Sequence, residues 1–334
     1  MKTEEIRDVL IVGAGISGLL AAKTLHSGGA NLLVVDKARG VGGRLATRRM
    51  GSGVVVDHGA QYFTVTEPQF SAIVDDWKLA GIVRPWAHGF RLQDGTLKSD
   101  GKARYVGTTG MTAMAKDVAR SLPVRLDTRI ARLEVRDSVW LATTEAGDRI
   151  FARALLLTAP VPQSLALLNT VHAALPDTIK AELEQIQYSP CLALLARLER
   201  PSSAIPEPGG MWLAGGPLSW MADNGKKGIS GSDHAALTLH ASAGYSEANW
   251  ESSAEEITAT LLEAAAPWLG SPVLETQLHR WRYSLPKQTY PERCVAVASP
   301  APLVLAGDAF GGPRVEGAAL SGLAAGAVLA KMLR

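Results

Sequence analysis

The stretch from Val9 to Asp36 limits the possible folds more than any other part of the chain. Val9-Leu10-Ile11-Val12 is a short apolar run, Gly13-Ala14-Gly15-Ile16-Ser17-Gly18 follows directly, and Asn31 to Val35 is a second largely apolar run ending at a carboxylate, Asp36. The pattern predicts a buried parallel strand, a tight turn, a helix and a second strand. Each glycine has a physical reason: Gly13 permits the turn, Gly15 lets the backbone approach a pyrophosphate, and Gly18 lets the helix lie against the strand. The first N–H groups of the helix, those of Ile16 and Ser17 among them, lack partners within it and carry a partial positive charge suited to phosphate. Asp36 stands where a carboxylate can hydrogen-bond a ribose diol. Such a glycine triplet alone is a weak signal, but strand, helix, second strand and acid all fall in place, and the expectation is a dinucleotide-binding unit.

Lys37-Ala38-Arg39-Gly40-Val41-Gly42-Gly43-Arg44 comes next, followed by Thr47, Arg48 and Arg49. This continuation resembles the flavoprotein amine oxidase superfamily. The resemblance implies FAD as the cofactor, with Lys37 in its binding loop, Gly42 and Gly43 bringing the backbone close to it, and Arg44 facing the pyrophosphate. A guanidinium can meet phosphate oxygens bidentately, which agrees with that role. Arg39, Arg48 and Arg49 read equally well as a solvated basic loop. Gly53 to Asp57 is then a short β-branched strand leading into His58-Gly59-Ala60-Gln61-Tyr62-Phe63. In the superfamily the corresponding segment crosses near the isoalloxazine ring, which implies Gly59, Ala60, Gln61 and Tyr62 as cofactor contacts and Gln61 as a polar group on the flavin or substrate side. These residues, with the earlier glycine-arginine turn, narrow the resemblance to the renalase family.

Composition agrees with a globular enzyme. The 334 residues, 47% of them apolar, suffice for two cores, and a net charge of +2 gives no electrostatic case for nucleic acid or an anionic membrane as partner. The polar start of the chain does not read as a secretory signal, and no uninterrupted apolar run reaches the ~20 residues of a span, so a cytoplasmic protein is expected. Cys191 and Cys294 lie apart without paired spacing and read as buried, reduced thiols. Some amine oxidases attach flavin through a cysteine, which brings Cys294 into consideration, but non-covalent FAD is the expectation. No metal is expected, because the histidines lack the spacing of metal sites.

Farther along, Glu67 to Leu79 carries Phe70, Ile73, Val74 and Trp77 at helical spacing. Trp86 to Leu92 and Leu97 to Val106 read as strands, with Asp94-Gly95 and Asp100-Gly101 as hairpin-type turns. A helix from Met111 to about Ser121 follows. Pro123 to Val135, Val139 to Thr143 and Arg149 to Leu157 read as three strands of a meander, and Pro160 is placed to open a helix. By resemblance, the backbone near Arg129 or Ile130 meets the adenine, and Thr158 lies in a turn beneath the cofactor. Beyond Pro162, Cys191 to Leu198, Met211 to Leu213 and Ala235 to Ala241 suggest an antiparallel sheet, and Ala254 to Leu269 an amphipathic helix. Trp212, Trp220, Trp250 and Trp281 fall in this half, either as a flat aromatic pocket or as ordinary core packing. His240 and the stretch holding Trp281 and Tyr283 resemble renalase positions that face the flavin. With Gln61, these are the candidate catalytic residues.

The end of the chain is again specific. Pro302 to Asp308 is a buried strand closing on Gly307-Asp308, and Arg314 to Gly322 opens a last helix. Gly307, Asp308, Val315, Glu316 and Ala318 are cofactor-binding candidates by resemblance, with the helix N-terminus near the flavin C2 carbonyl, where its dipole favours the reduced ring. The fold class is α/β: a Rossmann-type FAD-binding domain at 1–64, 105–160 and 295–334, and a discontinuous, mixed-sheet α+β substrate domain at 65–104 and 161–294. Only one dinucleotide fingerprint is present, so a nicotinamide would enter as substrate. The resemblance implies an FAD-dependent oxidase that converts 2- or 6-dihydro-NAD(P) to NAD(P)+ while O2 becomes H2O2, with that small molecule and O2 as partners of a monomer or homodimer. Such donors need little acid–base help. An oxidase of small amines is the second reading, for which Lys287 is the only lysine in the plausible region, and a flavin-binding protein without turnover is the third.

Overall fold

A computed structural model describes residues 5–171, 174–231, 235–298 and 300–334. In chain order come β1 (Ile6–Val12), α1 (Ile16–Ser27), β2 (Leu32–Val35), β3 (Thr47–Arg49), β4 (Val55–Asp57), α2 (Pro68–Leu79), β5 (Val83–Leu92), β6 (Leu97–Gly107) and α3 (Thr112–Ala119). Next are β7 (Val124–Arg125), β8 (Ile130–Arg136), β9 (Val139–Thr144), β10 (Arg149–Leu157), α4 (Val161–Leu168), α5 (Asp177–Glu184) and β11 (Tyr188–Leu198). The chain ends with β12 (Gly210–Trp212), β13 (Leu218–Asp223), β14 (Ala236–Ala241), α6 (Ala243–Ala248), α7 (Ala254–Leu269), β15 (Val273–Pro286), β16 (Val295–Val297), β17 (Leu303–Leu305) and α8 (Arg314–Met332). Two compact units result: unit 1 is Met1–Gly43, Ala115–Gln187 and Pro286–Arg334, and unit 2 is Arg44–Met114 and Tyr188–Leu285.

Unit 1 is built on a sheet in the order β16-β17-β10-β1-β2-β7, with β9 and then β8 added antiparallel beyond β10. β1 lies parallel between β10 and β2, which is why Val9, Leu10 and Ile11 form an uninterrupted apolar run: both faces of a central parallel strand are covered. α1 and α8 pack at close range, since a Cβ on Gly322 would sit 2.1 Å from the Ser17 carbonyl oxygen. α8, at 19 residues, is the one helix among the described residues with the length and apolarity of a membrane span, although no such run was expected, and 44% of its apolar window is buried within the fold.

Unit 2 holds a sheet in the order β15-β11-β14-β13-β12-β5-β6 and the β3–β4 pair. Alternation along β11, β13 and β14 gives the sheet two apolar faces. Leu192, Leu194, Met221, Leu237 and Leu239 pack with Ile257 and Leu261 of α7, whereas Phe90, Trp220 and Ala222 gather with Tyr62 and Trp86. α7 spans the residues expected, because Ser253 and Glu256 form a reciprocal capping box and Gly270 ends the helix at φ 67°.

Several local expectations are corrected. Asp100-Gly101 does not end a strand: β6 continues through it, and the surplus residues form a bulge against β5 between the pairs Ala87–Arg104 and Gly89–Ser99. The single strand expected from Pro123 to Val135 divides, as Asp127 takes φ 48° and separates β7, paired with β2, from β8, paired with β9. Pro160 is the N-cap of α4 and Pro162 lies inside its first turn. The expected domain limits at 64, 104, 160 and 294 differ from the unit limits at 43, 114, 187 and 285. Residues 44–64 join unit 2 because Met50, Val54 and Val56 pack on Leu195 and Ala236. Residues 161–187 join unit 1, where the Thr170 hydroxyl and Leu133 backbone hydrogen-bond. Residues 286–294 do likewise through the bond from Tyr290 N–H to the Ala309 carbonyl.

Candidate functional site

In unit 1 the glycine turn forms a cradle at the end of β1. Gly13 adopts φ 117°, and a Cβ there would meet Thr158 Oγ1 at 2.4 Å. On Gly18 a Cβ would lie 2.0 Å from the Gly13 carbonyl oxygen, so helix and turn touch only because the residue has no side chain. Beside Gly15, by contrast, nothing lies within 4 Å of where a Cβ would be. Gly42 lies against this turn, its N–H donating to the Ala14 carbonyl at 2.8 Å, and Gly43 follows at φ 54°. The Asp36 carboxylate accepts the Ala14 and Ala38 N–H groups at 2.7 and 2.8 Å, which holds the acid at the rim of the cradle. Ser17 Oγ, in the first turn of α1, is buried without a protein partner. An open face beside Gly15 and an orphaned hydroxyl fit a phosphate-bearing cofactor, because a buried polar group requires a partner.

The same unit presents a second tight loop. Gly307 N–H donates to Ser321 Oγ at 2.8 Å beside the buried Asp308. Gly311, Gly312 and Arg314 all have positive φ, and a Cβ on Gly317 would lie 2.0 Å from the Gly312 oxygen. α8 starts at Pro313 without a side-chain cap, leaving first-turn N–H groups for a ligand. Arg314, at φ 71°, is not a glycine, and strain of this kind concentrates where a site demands a particular path. Val315 and Ala318 are buried in the first turn, Glu316 is half-buried beside them, and Ile130 is buried at the start of β8. Lys37 Nζ reaches Gln163 Oε1 at 3.4 Å. The Thr158 hydroxyl donates to the Val12 and Gly13 carbonyls at 3.1 and 3.2 Å and so buttresses the glycine turn.

In unit 2 three of the four candidate catalytic residues, Gln61, His240 and Trp281, lie around His58, and Tyr283 packs apart from them on Tyr188. Trp281 donates its indole N–H to the His58 carbonyl at 2.8 Å and stacks on the His58 ring, with His279 edge-on to both. Gln61 donates from Nε2 to the Asp57 and Gly59 carbonyls at 2.7 and 3.1 Å, which turns its Oε1 outward from these bonds without a partner. His58 Nδ1, His240 Nε2 and Trp220 Nε1 are also buried and unpartnered. Burial pushes His58 down to about 3, helped by His279, the Arg48 guanidinium and His240. It pushes His240 down to about 4 despite a hydrogen bond with the His58 backbone, and His279 to about 4 with Arg48 adding to the effect. All three imidazoles are therefore uncharged at neutral pH. Tyr283 stands edge-on to Tyr188 at 5.6 Å, and Tyr62 packs near Phe90 and Trp220.

Two of the cofactor candidates also have contacts within unit 2. Arg44 Nη1 donates to the Tyr283 carbonyl at 3.2 Å, and its guanidinium lies 5.9 Å from the Tyr188 ring. Gly59 is small because a Cβ would sit 2.0 Å from the Arg44 carbonyl oxygen, a contact made by the chain itself; Ala60 N–H donates to that same oxygen at 2.9 Å. What sequence reasoning missed is the hub beneath Gln61. Asp57 and Lys227 form an ion pair at 2.7 Å with both side chains wholly buried. Asp57 Oδ1 also accepts from the Thr47 hydroxyl and Met111 N–H, its N–H donates to Asn224 Oδ1, and its carbonyl accepts from the Thr238 hydroxyl. Burial lowers the Lys227 pKa while Asp57 opposes the shift. Gly225-Lys226-Lys227-Gly228 reads as an exposed basic turn, and nothing in it signals a buried cation. Lys287 lies instead on an exposed stretch of unit 1. Burial pushes Cys191 up to about 12 and raises Cys294, so both thiols stay protonated. Among the described residues no cluster of side chains could hold a metal ion.

Comparison with known proteins agrees with this geometry. Residues 11–77 match the NAD(P)-binding Rossmann-like domain, and residues 86–329 match the flavin containing amine oxidoreductase family. Renalase of Mus musculus is 24% identical over 292 residues, covering 83% of this chain and 84% of that one. An L-amino acid dehydrogenase of Synechocystis is 34% identical over 98 residues, 29% of this chain and 20% of that one. The solved structure of wild-type putrescine oxidase bound to putrescine superposes with a TM-score of 0.71 at 16% identity, over 98% of this chain and 100% of that one. With the family match spanning most of its length, this chain belongs to the flavin containing amine oxidoreductase family and is an FAD-dependent oxidoreductase.

Proposed function

We propose that the protein oxidises isomeric dihydro-NAD(P), reduced at ring position 2 or 6, to NAD(P)+, with O2 as the final acceptor. One hydride leaves the dihydropyridine, and O2 gains two electrons and two protons to become H2O2, one of those protons coming from solvent. Bound FAD supplies the hydride acceptor and the means of passing electrons to O2. The observation that carries the reading is the uncharged character of the unit 2 cluster. His58, His240 and His279 are held neutral, Trp281 is satisfied by a backbone carbonyl, and the Asp57 carboxylate is fully engaged by Lys227, Thr47 and Met111. A donor that gives up a hydride without losing a proton needs neutral polar contacts that orient it and a surface that keeps water away.

On this reading Gln61 and His240 orient the substrate through their unpartnered Oε1 and Nε2 atoms, and Trp281 and Tyr283 supply apolar faces. Ser17, Asp36 and the α8 turn hold FAD without a covalent bond, and the proposed setting is cytoplasmic. The similarity to mouse renalase over most of both chains supports the same reading. Anaerobic mixing of the yellow protein with 2- and 6-dihydro-NAD(P), ordinary 4-dihydro-NAD(P)H and small amines, followed by flavin absorbance, tests it. Fast bleaching by the abnormal isomers, then recolouring with H2O2 in air, is the expected result. Bleaching by amines alone replaces the donor with an amine, and no bleaching by any of them removes the catalytic reading.

A further inference from the structure

We propose that a groove beside Trp212 in unit 2 binds the adenine ring of the dinucleotide donor, an assignment that rests on the reaction proposed above. His240 of β14 pairs with Trp220 of β13, Trp220 pairs with Trp212 of β12, and Trp212 pairs with Leu92 of β5. Residues paired across neighbouring strands point to the same face, so these four side chains form one row across the sheet. Strands lie about 4.8 Å apart, which puts Leu92 about 14 Å from His240 along that row. Trp220 between them is buried among Phe90, Tyr62 and Trp86, so a dinucleotide opened out over this aromatic cluster has its two bases at opposite ends.

The far end of the row is a place for a flat base. A groove of about 430 Å³ is lined by Leu92, Gln93, Asp94, Trp212, Leu213 and Ala214. Trp212 is 37% exposed, while its inner side is fixed edge-on to Trp220 with the ring centroids 4.8 Å apart. Gly210, two residues earlier on the same strand, keeps the aromatic row closed up, because a Cβ there would lie 2.7 Å from the Phe90 ring and 2.8 Å from that of Trp220. The outer indole surface offers stacking, which is indifferent to sequence because every base has a flat face. Gln93 adds an amide able to meet the adenine amino group and ring nitrogen. Asp94, whose carboxylate is anchored by the Thr96 N–H at 2.9 Å, adds an acceptor at the rim.

The test compares two donors on holoenzyme of wild type, Trp212→Ala and Trp212→Phe: 6-dihydro-NAD and the corresponding mononucleotide, which lacks the adenosine phosphate half. Trp212→Ala is expected to raise KM for the dinucleotide at least about 5-fold, with kcat and the mononucleotide KM unchanged. Trp212→Phe keeps most of the affinity. AMP alone competes with the dinucleotide in wild type and loses that effect in Trp212→Ala. Oxidation of both donors with equal KM shifts, or with none, refutes the groove and leaves the reaction standing. If wild type oxidises neither donor, the reaction is refuted and the groove with it. Flavin content and absorbance confirm that each variant is folded.

Discussion

In unit 1 the cofactor cradle is assembled from neighbours in sequence: the Ala14 N–H and the Asp36 carboxylate that accepts it are 22 positions apart, and Gly13, Gly15, Ser17 and Gly18 share one turn. In unit 2 the His58 carbonyl meets the Trp281 indole across 223 positions, and Asp57 meets Lys227 across 170. The first region works mainly through backbone, so its demands appear as glycines at fixed spacing. The second works through side chains that strand pairing brings together, and it depends on a buried charge pair rather than on a turn. Substitutions at the two places should therefore fail in different ways.

The largest effect is expected at the hub of unit 2. Lys227→Met leaves the Asp57 carboxylate buried with no countercharge, which costs about 3–5 kcal/mol, whereas Asp57→Asn combined with Lys227→Met removes both charges and costs less. Urea denaturation of the two variants, followed by tryptophan fluorescence, measures the difference. A single variant as stable as wild type would show that the pair is not what holds β4 to the turn after β13. Next comes Gly18→Ala, where the added carbon meets backbone 2.0 Å away and the turn must open. Strain of about 2 kcal/mol there corresponds to FAD binding roughly 30-fold weaker, read from flavin retained after dialysis. If flavin retention drops in Gly18→Ala and not in Lys227→Met, the two regions are as separate in function as they are in sequence.

What the sequence made legible follows from this contrast. The strand–glycine–helix order, the carboxylate at Asp36, the extent of α7 and the Gly307-Asp308 close are each written in adjacent residues. β15 was illegible as a strand of 14 residues because Val273 to Pro286 alternates without a clean apolar face and most of its side chains are half-buried. His240 was singled out by resemblance, but nothing in its own stretch shows that its partner row is Trp220, Trp212 and Leu92, since strand register is a tertiary property. Arg44 stands between the two cases. Its neighbours Gly42 and Gly43 lie on the cradle, while its own Nη1 reaches the Tyr283 carbonyl across 239 positions, a contact that no local motif can show.

A smaller effect sharpens the picture of the cradle. Ser17→Ala removes an unpartnered buried hydroxyl, so the protein without cofactor should be no less stable. If that hydroxyl donates to a phosphate, FAD binding weakens by about 1 kcal/mol, roughly 5-fold, measured by flavin titration of the stripped protein. Equal affinity in both forms would assign Ser17 to packing against α8 instead.

The smallest expected change is in the rate of hydride transfer with pH, and its sign is fixed by the three imidazoles of unit 2. Histidine in the unfolded chain takes up a proton as pH falls below about 6.5. In the fold His240 and His279 resist until about 4 and His58 until about 3. Between those limits the unfolded state binds more protons, so these groups make stability fall as the solution is acidified from about 6.5 toward 4, and contribute no pH dependence above that window. On the proposed reaction, anaerobic bleaching by 6-dihydro-NAD stays flat from about pH 6 upward, because these three imidazoles do not change charge there. A rate that rose or fell through the ordinary histidine range would mean that one of these rings titrates while active, and acid–base chemistry, hence an amine donor, would return as the better account of unit 2.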